Sequence, residues 1–403
     1  MESTNQDHRA IGQQLDLFMF SPLSPGCPIW LPKGMVLYNL LLNRMKRLNE
    51  ENGCQEVRTP ILWKSELYQT SGHLDHYAKN MFFATDGPGR DMKDENHHCV
   101  KPMNCPGHME IFRSKQWSYR DLPVRFAEYG PLHRNEVSGA IGGLTRCRAF
   151  CQDDAHIFVS PQTLQNEIKR LLVMVNRVYG IWFNMHYRCT LSTRPDKYLG
   201  EVRAWDNAEA ALEDALGDNG LAFDIAHKEG AFYGPKIDFI VTDSLNREWQ
   251  TATIQLDFQL PQRFGCTYTD ERDREQTPIV IHRAIYGSFE RFIGILLEHT
   301  QGHLPFWLAP VSVCVLPISD KAFSYADEIE MKLKGVGVRC EIDKENRTLQ
   351  QKIAIGYEKK YPFMVIVGEK EATARNVALK TKDKQETVPL EFFFPRMMEL
   401  ANG

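Results

Sequence analysis

The stretch HLPFWLAP at 303–310 constrains this chain most, because one residue pattern ends there and another begins. Two prolines close a helical period, and proline just past a helix is a stop signal. Downstream, apolar runs alternate with helical periods: VSVCVL, a helix over 325–334, VRCEI, a helix over 349–359, FMVIV, VALKT and a last helix. That alternation predicts an α/β domain over 305–403. At 403 residues the chain is too long for one core, so 1–304 is expected to form a separate domain.

Within it, residues 1–32 read as an irregular lead-in, with Pro22, Pro25, Gly26 and Pro28 breaking any long helix. Leu37, Leu40, Leu41, Met45 and Leu48 then recur at helical spacing. EVRTPIL predicts a short strand bearing Pro60, and 84–98 a polar, Gly/Pro-rich loop. Strands are expected near 100–103, 124–128, 148–154, 223–227, 236–241, 249–259 and 279–282, and helices over 163–178 and 287–299. Asp206 with Glu209 reads as a capping box for the helix after it. No apolar run approaches the length of about 18 residues that a membrane span requires, and the N-terminus lacks a signal-peptide core. The net charge of −4 excludes a bulk polycation. Ten scattered cysteines suit a reducing compartment, so a cytoplasmic location is expected, with a mitochondrion or other organelle as the alternative.

Residues 97–108 read HHCVKPMNCPGH and offer His97, His98, Cys99, Cys105 and His108 as metal ligands. Structural zinc pairs sit about two to four residues apart. Cys99 and Cys105 are further apart, with a predicted strand and Pro102 between them, and no CxxC or HxxxH nearby completes a set. The other possibility draws on distant histidines, His156 in FCQDDAHIF and His282 in IVIHRAI. A lone histidine in an apolar strand is more often a hydrogen-bonded core residue. Residue types alone leave the choice open.

RFAEYGPLHRNE followed by RCRAFCQDDAH resembles motif 2 of the class II aminoacyl-tRNA synthetases, a strand, a loop and an antiparallel return strand. GSFERFIGILLE resembles motif 3, and the helix–strand segment ending at Pro60 resembles motif 1. With KPMNCPGH, AFYGPKIDF and WQTATIQLDF, the chain resembles the threonyl-tRNA synthetase family from DHRAIG to its C-terminus. The resemblance implies an α+β catalytic domain, an antiparallel sheet flanked by helices, followed by an α/β anticodon-binding domain. It implies a threonine–tRNA ligase that activates L-threonine with ATP and Mg2+ and passes it to the 3′ end of tRNA(Thr). A homodimer joined near Pro60 is implied as well, with no membrane partner.

Carried over residue by residue, the resemblance makes Cys105, His156 and His282 the ligands of one Zn2+ per chain; His97, His98 and Cys99 are not expected to bind. Threonine and valine are nearly isosteric, and an apolar pocket separates such a pair only about 100-fold. Zinc on one Cys and two His keeps an open position, which threonine can fill through its amino group and hydroxyl. Asp154 is implied beside that hydroxyl, with Met103, Tyr233, Lys236, Gln255 and Ser288 along the threonine pocket. Arg134 and Arg291 are implied at the α- and γ-phosphates, with Gln152 as a further catalytic residue. Glu136, Arg146, Phe150, Gln250 and Thr253 complete the implied ATP contacts. No G-x-x-x-x-G-K-[ST] loop is present, and GAIGG at 139–143 reads as a turn of the motif 2 loop. Strand alternation places Thr253 and Gln255 on one face, and Gln250 on the other unless a bulge intervenes.

Residues 344–384 hold 10 basic and 5 acidic side chains, a local excess of positive charge that is usually only a solvated face. The resemblance makes it a tRNA surface, with Asn346, Glu371 and Lys380 at the anticodon. Full-length members commonly carry N-terminal domains, one of which hydrolyses misacylated seryl-tRNA; this chain starts at the catalytic core, so editing is not expected of it. Two other readings are a catalytically silent tRNA-binding relative and a sister synthetase for proline or serine. The intact arginines oppose the first, and the Cys105, His156 and His282 trio opposes the second.

Overall fold

The computed structural model describes residues 6–85 and 97–402. It separates into two compact units, Ser21–Pro28 with Leu42–Ile295, and the chain up to Phe20 with Ile29–Leu41 and everything from Leu296 onward. The helices used below are α1 (His8–Gln14), α2 (Pro32–Glu51), α3 (Cys105–Arg113), α4 (Leu164–Asn176), α5 (Val202–Asp218), α6 (Phe289–Thr300), α7 (Phe323–Gly335), α8 (Leu349–Glu358), α9 (Glu369–Ala374) and α10 (Leu390–Asn402).

The first unit is built on an eight-stranded sheet. In chain order its strands are β1 (Gln55–Glu56), β2 (Val124–Glu128), β3 (Asp154–Val159), β4 (Tyr187–Ser192), β5 (Phe223–Ala226), β6 (Lys236–Thr242), β7 (Glu248–Asp257) and β8 (Ile279–Ala284). In space they run β5-β4-β6-β7-β8-β3-β2-β1. Only the edge pairs β4/β5 and β1/β2 are parallel; the pairs between them are antiparallel. β3 and β8 lie at the middle and are buried almost throughout, which is why they read as apolar runs rather than as alternation. α4 buries Leu164, Ile168, Leu171, Leu172 and Val175 along one stripe, and α5 buries Trp205, Ala208, Leu212 and Leu216.

The second unit holds a sheet of order β10-β9-β11-β12-β13, formed by β9 (Val313–Pro317), β10 (Cys340–Ile342), β11 (Phe363–Val367), β12 (Asn376–Lys380) and β13 (Gln385–Pro389). β9 is parallel to both β10 and β11, while β12 and β13 return antiparallel. Val313 and Val315 face a core with Ile329, Leu333, Phe393 and Met397. Cys314 and Leu316 face the other side, against Ile353 and Tyr357. Helices thus cover both faces, and the expected α/β layer is present.

Several local expectations fail for identifiable reasons. The lead-in is not irregular throughout: Asp7 caps α1 through Arg9 N and Ala10 N, and Phe18–Phe20 pairs with Pro28–Trp30. The segment groups with the later chain, since His8 Nδ1 lies 2.6 Å from Glu298 Oε1 and Gln14 Nε2 donates to Glu358 O at 2.8 Å. The strand expected over 100–103 ends at Val100, and Cys105 opens α3 instead of lying past a strand. The expected strand over 148–154 breaks in two: Ala149–Cys151 pairs with Pro131–His133 and β3 begins at Asp154. The capping box is wrong, because α5 starts at Val202 and Asp206 and Glu209 lie inside it, where they hold Arg194 Nη1 and Arg194 N. Tertiary hydrogen bonding to a neighbouring loop took those carboxylates. Most of the polar loop at 84–98 lies outside the described residues.

Candidate active site and metal centre

Register in the large sheet gathers the site. Lys236 on β6 pairs with Gln255 on β7, Gln255 with His282 on β8, and His282 with His156 on β3. Side chains directly opposite on adjacent strands share a face, so one row across the sheet presents a lysine, a glutamine and two imidazoles side by side. Cys105 reaches the row from the first turn of α3, where Pro106 suits a helix start. Gly107 allows the close approach: a Cβ there would lie 2.8 Å from Thr59 Cγ2. Gly234 does the same for FYGPK, since a Cβ would lie 1.6 Å from Leu256 O.

The donor atoms of Cys105, His156 and His282 all lie within 4.8 Å of one another. Each imidazole has one nitrogen engaged: His156 Nδ1 lies 2.9 Å from His108 Nδ1, and His282 Nε2 lies 2.8 Å from Asp257 Oδ2. Each keeps its other nitrogen for the cavity. A buried thiol with two imidazoles oriented by further polar groups fits a zinc ion with an open position. Cys99 does not join them; it is fully buried in an apolar cluster with Tyr68 and Met81.

The trio opens on a cavity of about 400 Å3, also lined by Met103, Arg134, Gln152, Asp154, Tyr233, Lys236, Thr253 and Gln255. A second cavity of about 240 Å3 is lined by Glu136, Arg146, Phe150, Gln250, Ser288 and Arg291, and shares Arg134 and Gln152 with the first. Ser288, expected beside threonine, therefore lines the second, and Thr253, expected beside ATP, lines the first. Asp154 accepts from Asn104 Nδ2 at 3.1 Å, and burial pushes its carboxyl up. The Arg134 guanidinium lies 5.0 Å over the Phe150 ring, and Arg146 pairs with Glu136 at 2.8 Å. Arg291 donates to Gln250 O and Thr145 O at 3.1 and 2.8 Å.

Gln250 faces the same side as Thr253 because the β6–β7 register slips between Asp238 and Ile240. The bulge resets the alternation. Asp238 fixes the result, accepting from Gln250 Nε2 at 2.7 Å and Thr253 Oγ1 at 2.9 Å while pairing with Lys236 Nζ at 2.6 Å.

Sequence reasoning missed Asp238, Asp257, His73, Lys101 and Glu128. Asp238 and Asp257 were inside quoted motifs, as polar residues in otherwise apolar strands, a pattern that demands partners. His73 lines the first cavity, and burial pushes it down to about 3. Glu128 and Lys101 form a fully buried ion pair at 2.7 Å. Burial would push the Glu128 carboxyl up, yet hydrogen bonds from His108, Lys101 and Thr59 outweigh it and hold it at about 2. A depressed folded value stabilises the fold above the unfolded pKa of 4.5, and that stability is lost as pH falls toward about 2. The loss should be on the order of 3 kcal/mol. Melting temperatures from pH 5 to pH 2.5 should fall more steeply for the unaltered protein than for Glu128→Gln; parallel curves would refute the assignment.

In the second unit, Asn346 lines a groove of about 570 Å3 with Asp343, Lys344 and Arg347. Glu371 accepts from Gly368 N at 2.9 Å and closes the start of α9, while Lys380 Nζ sits 5.9 Å over the Tyr357 ring. Of the three, Asn346 alone lines that groove.

A mostly antiparallel sheet with an arginine after a hairpin strand, Arg134, and another in the first turn of α6, Arg291, marks the core of a class II tRNA synthetase. The family described as tRNA synthetase class II core domain (G, H, P, S and T) matches residues 89–300, and that described as anticodon binding domain matches 312–399. The threonine–tRNA ligase of Bdellovibrio bacteriovorus is 46% identical over 385 residues, covering 96% of this chain and 58% of that protein. A solved structure described as the RNA binding domain of threonyl-tRNA synthetase from Cryptosporidium parvum has a TM-score of 0.92 and 40% identity, covering 98% of each chain. A prolyl-tRNA synthetase structure from that organism, at 18% identity and a TM-score of 0.78, shares the fold. The chain belongs to the threonyl-tRNA synthetase family. It spans about 60% of the length of the curated relatives it matches.

Proposed function

We propose that this chain is a threonine–tRNA ligase: it activates L-threonine with ATP and Mg2+ to the adenylate and transfers it to the 3′ end of tRNA(Thr). The observation that carries the reading is a zinc-type donor set and a buried carboxylate in one cavity, joined through Arg134 and Gln152 to a cavity lined by arginines. Cys105, His156 and His282 would hold Zn2+, which supplies a Lewis-acid position that an amine and a hydroxyl can fill and a methyl cannot. Asp154 accepts the hydroxyl hydrogen, and Gln255 and Tyr233 wall the side chain. Arg134 stabilises the negative charge that builds as carboxylate attacks the α-phosphorus, and Arg291 steadies the departing pyrophosphate. Phe150 stacks on the base once Arg134 turns from its ring to the phosphate, and Glu136 receives the adenine amino group.

The reading assigns catalysis to 1–304 and anticodon contact to 305–403 through Asn346, Glu371 and Lys380. Ile61 and Leu62, next to Pro60, are 44% and 52% exposed, which supports a homodimer contact there. All ten cysteines are free, in keeping with a reducing cytoplasm or organelle matrix. Among the described residues no helix is long and apolar enough to cross a membrane. Hydrolysis of seryl-tRNA is not part of the reading.

Pyrophosphate exchange tests it. Threonine should support exchange, serine should do so measurably, and valine should be at least about a thousandfold poorer, because it leaves groups built for a hydroxyl unpaired. Exchange with proline but not threonine would point to a sister synthetase. Tight tRNA binding with no exchange at all would point to a silent relative.

A further inference from the structure

We propose that His108 is a positioning residue for the metal centre, fixing the tautomer of His156 so that a bare Nε2 faces the cavity. The proposal rests on the zinc reading above. The geometry leaves little choice of protons. Glu128 receives Thr59 N at 2.9 Å and Lys101 Nζ at 2.7 Å on Oε1, and Thr59 Oγ1 at 2.9 Å on Oε2. Every one of these partners can donate, so the carboxylate acts purely as an acceptor. His108 Nε2, 3.1 Å from Glu128 Oε2, must therefore carry a hydrogen.

With Nε2 protonated, the Nδ1 of a neutral His108 is an acceptor. It lies 2.9 Å from His156 Nδ1, which must then be the donor. His156 keeps no hydrogen on Nε2, the nitrogen left for a metal. Lys101, His108, Glu128 and His156 are at most 1% exposed, so water cannot substitute for any link. The opposite tautomer would place a hydrogen where the ion must bind. His108, one of the ligand candidates in HHCVKPMNCPGH, thus serves the centre without touching the ion.

Cobalt(II) titration, followed by its visible d–d absorption, measures affinity apart from turnover. His108→Leu removes the acceptor and should weaken Co2+ and Zn2+ binding about 10- to 100-fold, the usual cost of losing an outer partner of a ligand. His108→Asn returns an oxygen near the place of Nδ1 and should recover most of that loss at a similar melting temperature. Unchanged affinity in His108→Leu overturns the proposal, as does an equal loss in both variants. If His108→Leu does not fold, 15N shifts of His156 in the unaltered, metal-free protein decide: protonated Nδ1 with bare Nε2 is expected, and the reverse overturns it. Failure of the unaltered protein to bind cobalt or zinc would sink the zinc reading, while those shifts would still judge the tautomer by itself.

Discussion

Serine in place of Cys105 should strip zinc from the protein and lower threonine activation by more than about a hundredfold. Losing one of three ligands must cost more than losing an outer partner, which already costs about 10- to 100-fold. A hydroxyl at the start of α3 is a far weaker ligand for Zn2+ than a thiolate. Cys99→Ser is the control, because Cys99 sits six positions earlier in the same motif and looks equally able to bind. Its thiol is buried among Tyr68 and Met81, so burying a hydroxyl there should cost roughly 1–3 kcal/mol of stability and leave zinc content near one per chain. Metal analysis and pyrophosphate exchange on both variants check this. Equal zinc loss in the two would revive a local site built from HHCVKPMNCPGH.

Arg134→Ala should lower the rate of adenylate formation about 10²- to 10³-fold, the range seen when one donor to a developing negative charge is removed. Arg134 is the charged residue common to both cavities, so it can touch the carboxylate of one substrate and the phosphate of the other. Its Nε donates to Pro102 O at 3.2 Å, which holds the guanidinium near the junction. Zinc content should stay unchanged, separating this variant from Cys105→Ser. Arg291→Ala should show a comparable fall, and if both arginines serve one transition state, as proposed, the double variant should lose less than the product. An Arg134→Ala protein exchanging within tenfold of normal would remove that residue from the chemistry.

Much of this site was legible in the chain because its motifs are short and distinctive. KPMNCPGH, HRNE, QDDAHIF and IHRAIYGSFERF named the trio and the arginines, and the structure brings these into adjoining cavities. What no pattern could supply was the register that sets Lys236, Gln255, His282 and His156 in one row. Pairing between residues 19 to 126 positions apart in sequence is a tertiary property, and period-two alternation says only which residues share a strand face. A bulge is the condition for Gln250 to turn inward, and it shows only in the pairing with another strand, where Asp238 accepts from both Gln250 and Thr253. Local errors had the same origin. Asp206 and Glu209 have the spacing of a cap, and Arg194 claimed them. The start of α3 was signalled by Asn104 at the N-cap and Pro106 in the first turn, though the Asn104 side chain makes no cap bond in the structure.

The cross-strand row has a consequence for how the centre could ever let go of an ion. His156 and His282 sit opposite each other on neighbouring strands, and each strand is laddered again on its far side, to β2 and to β7. The backbones that carry the two imidazoles cannot part without breaking main-chain bonds inside the sheet, a region of a fold that opens late. Cys105 is different: it stands at the tip of a short helix, entered from a stretch with no ladder of its own. The histidines are anvil and the cysteine is latch. If the trio holds an ion, as proposed, Cys105 is the ligand whose backbone can shift without disturbing the large sheet.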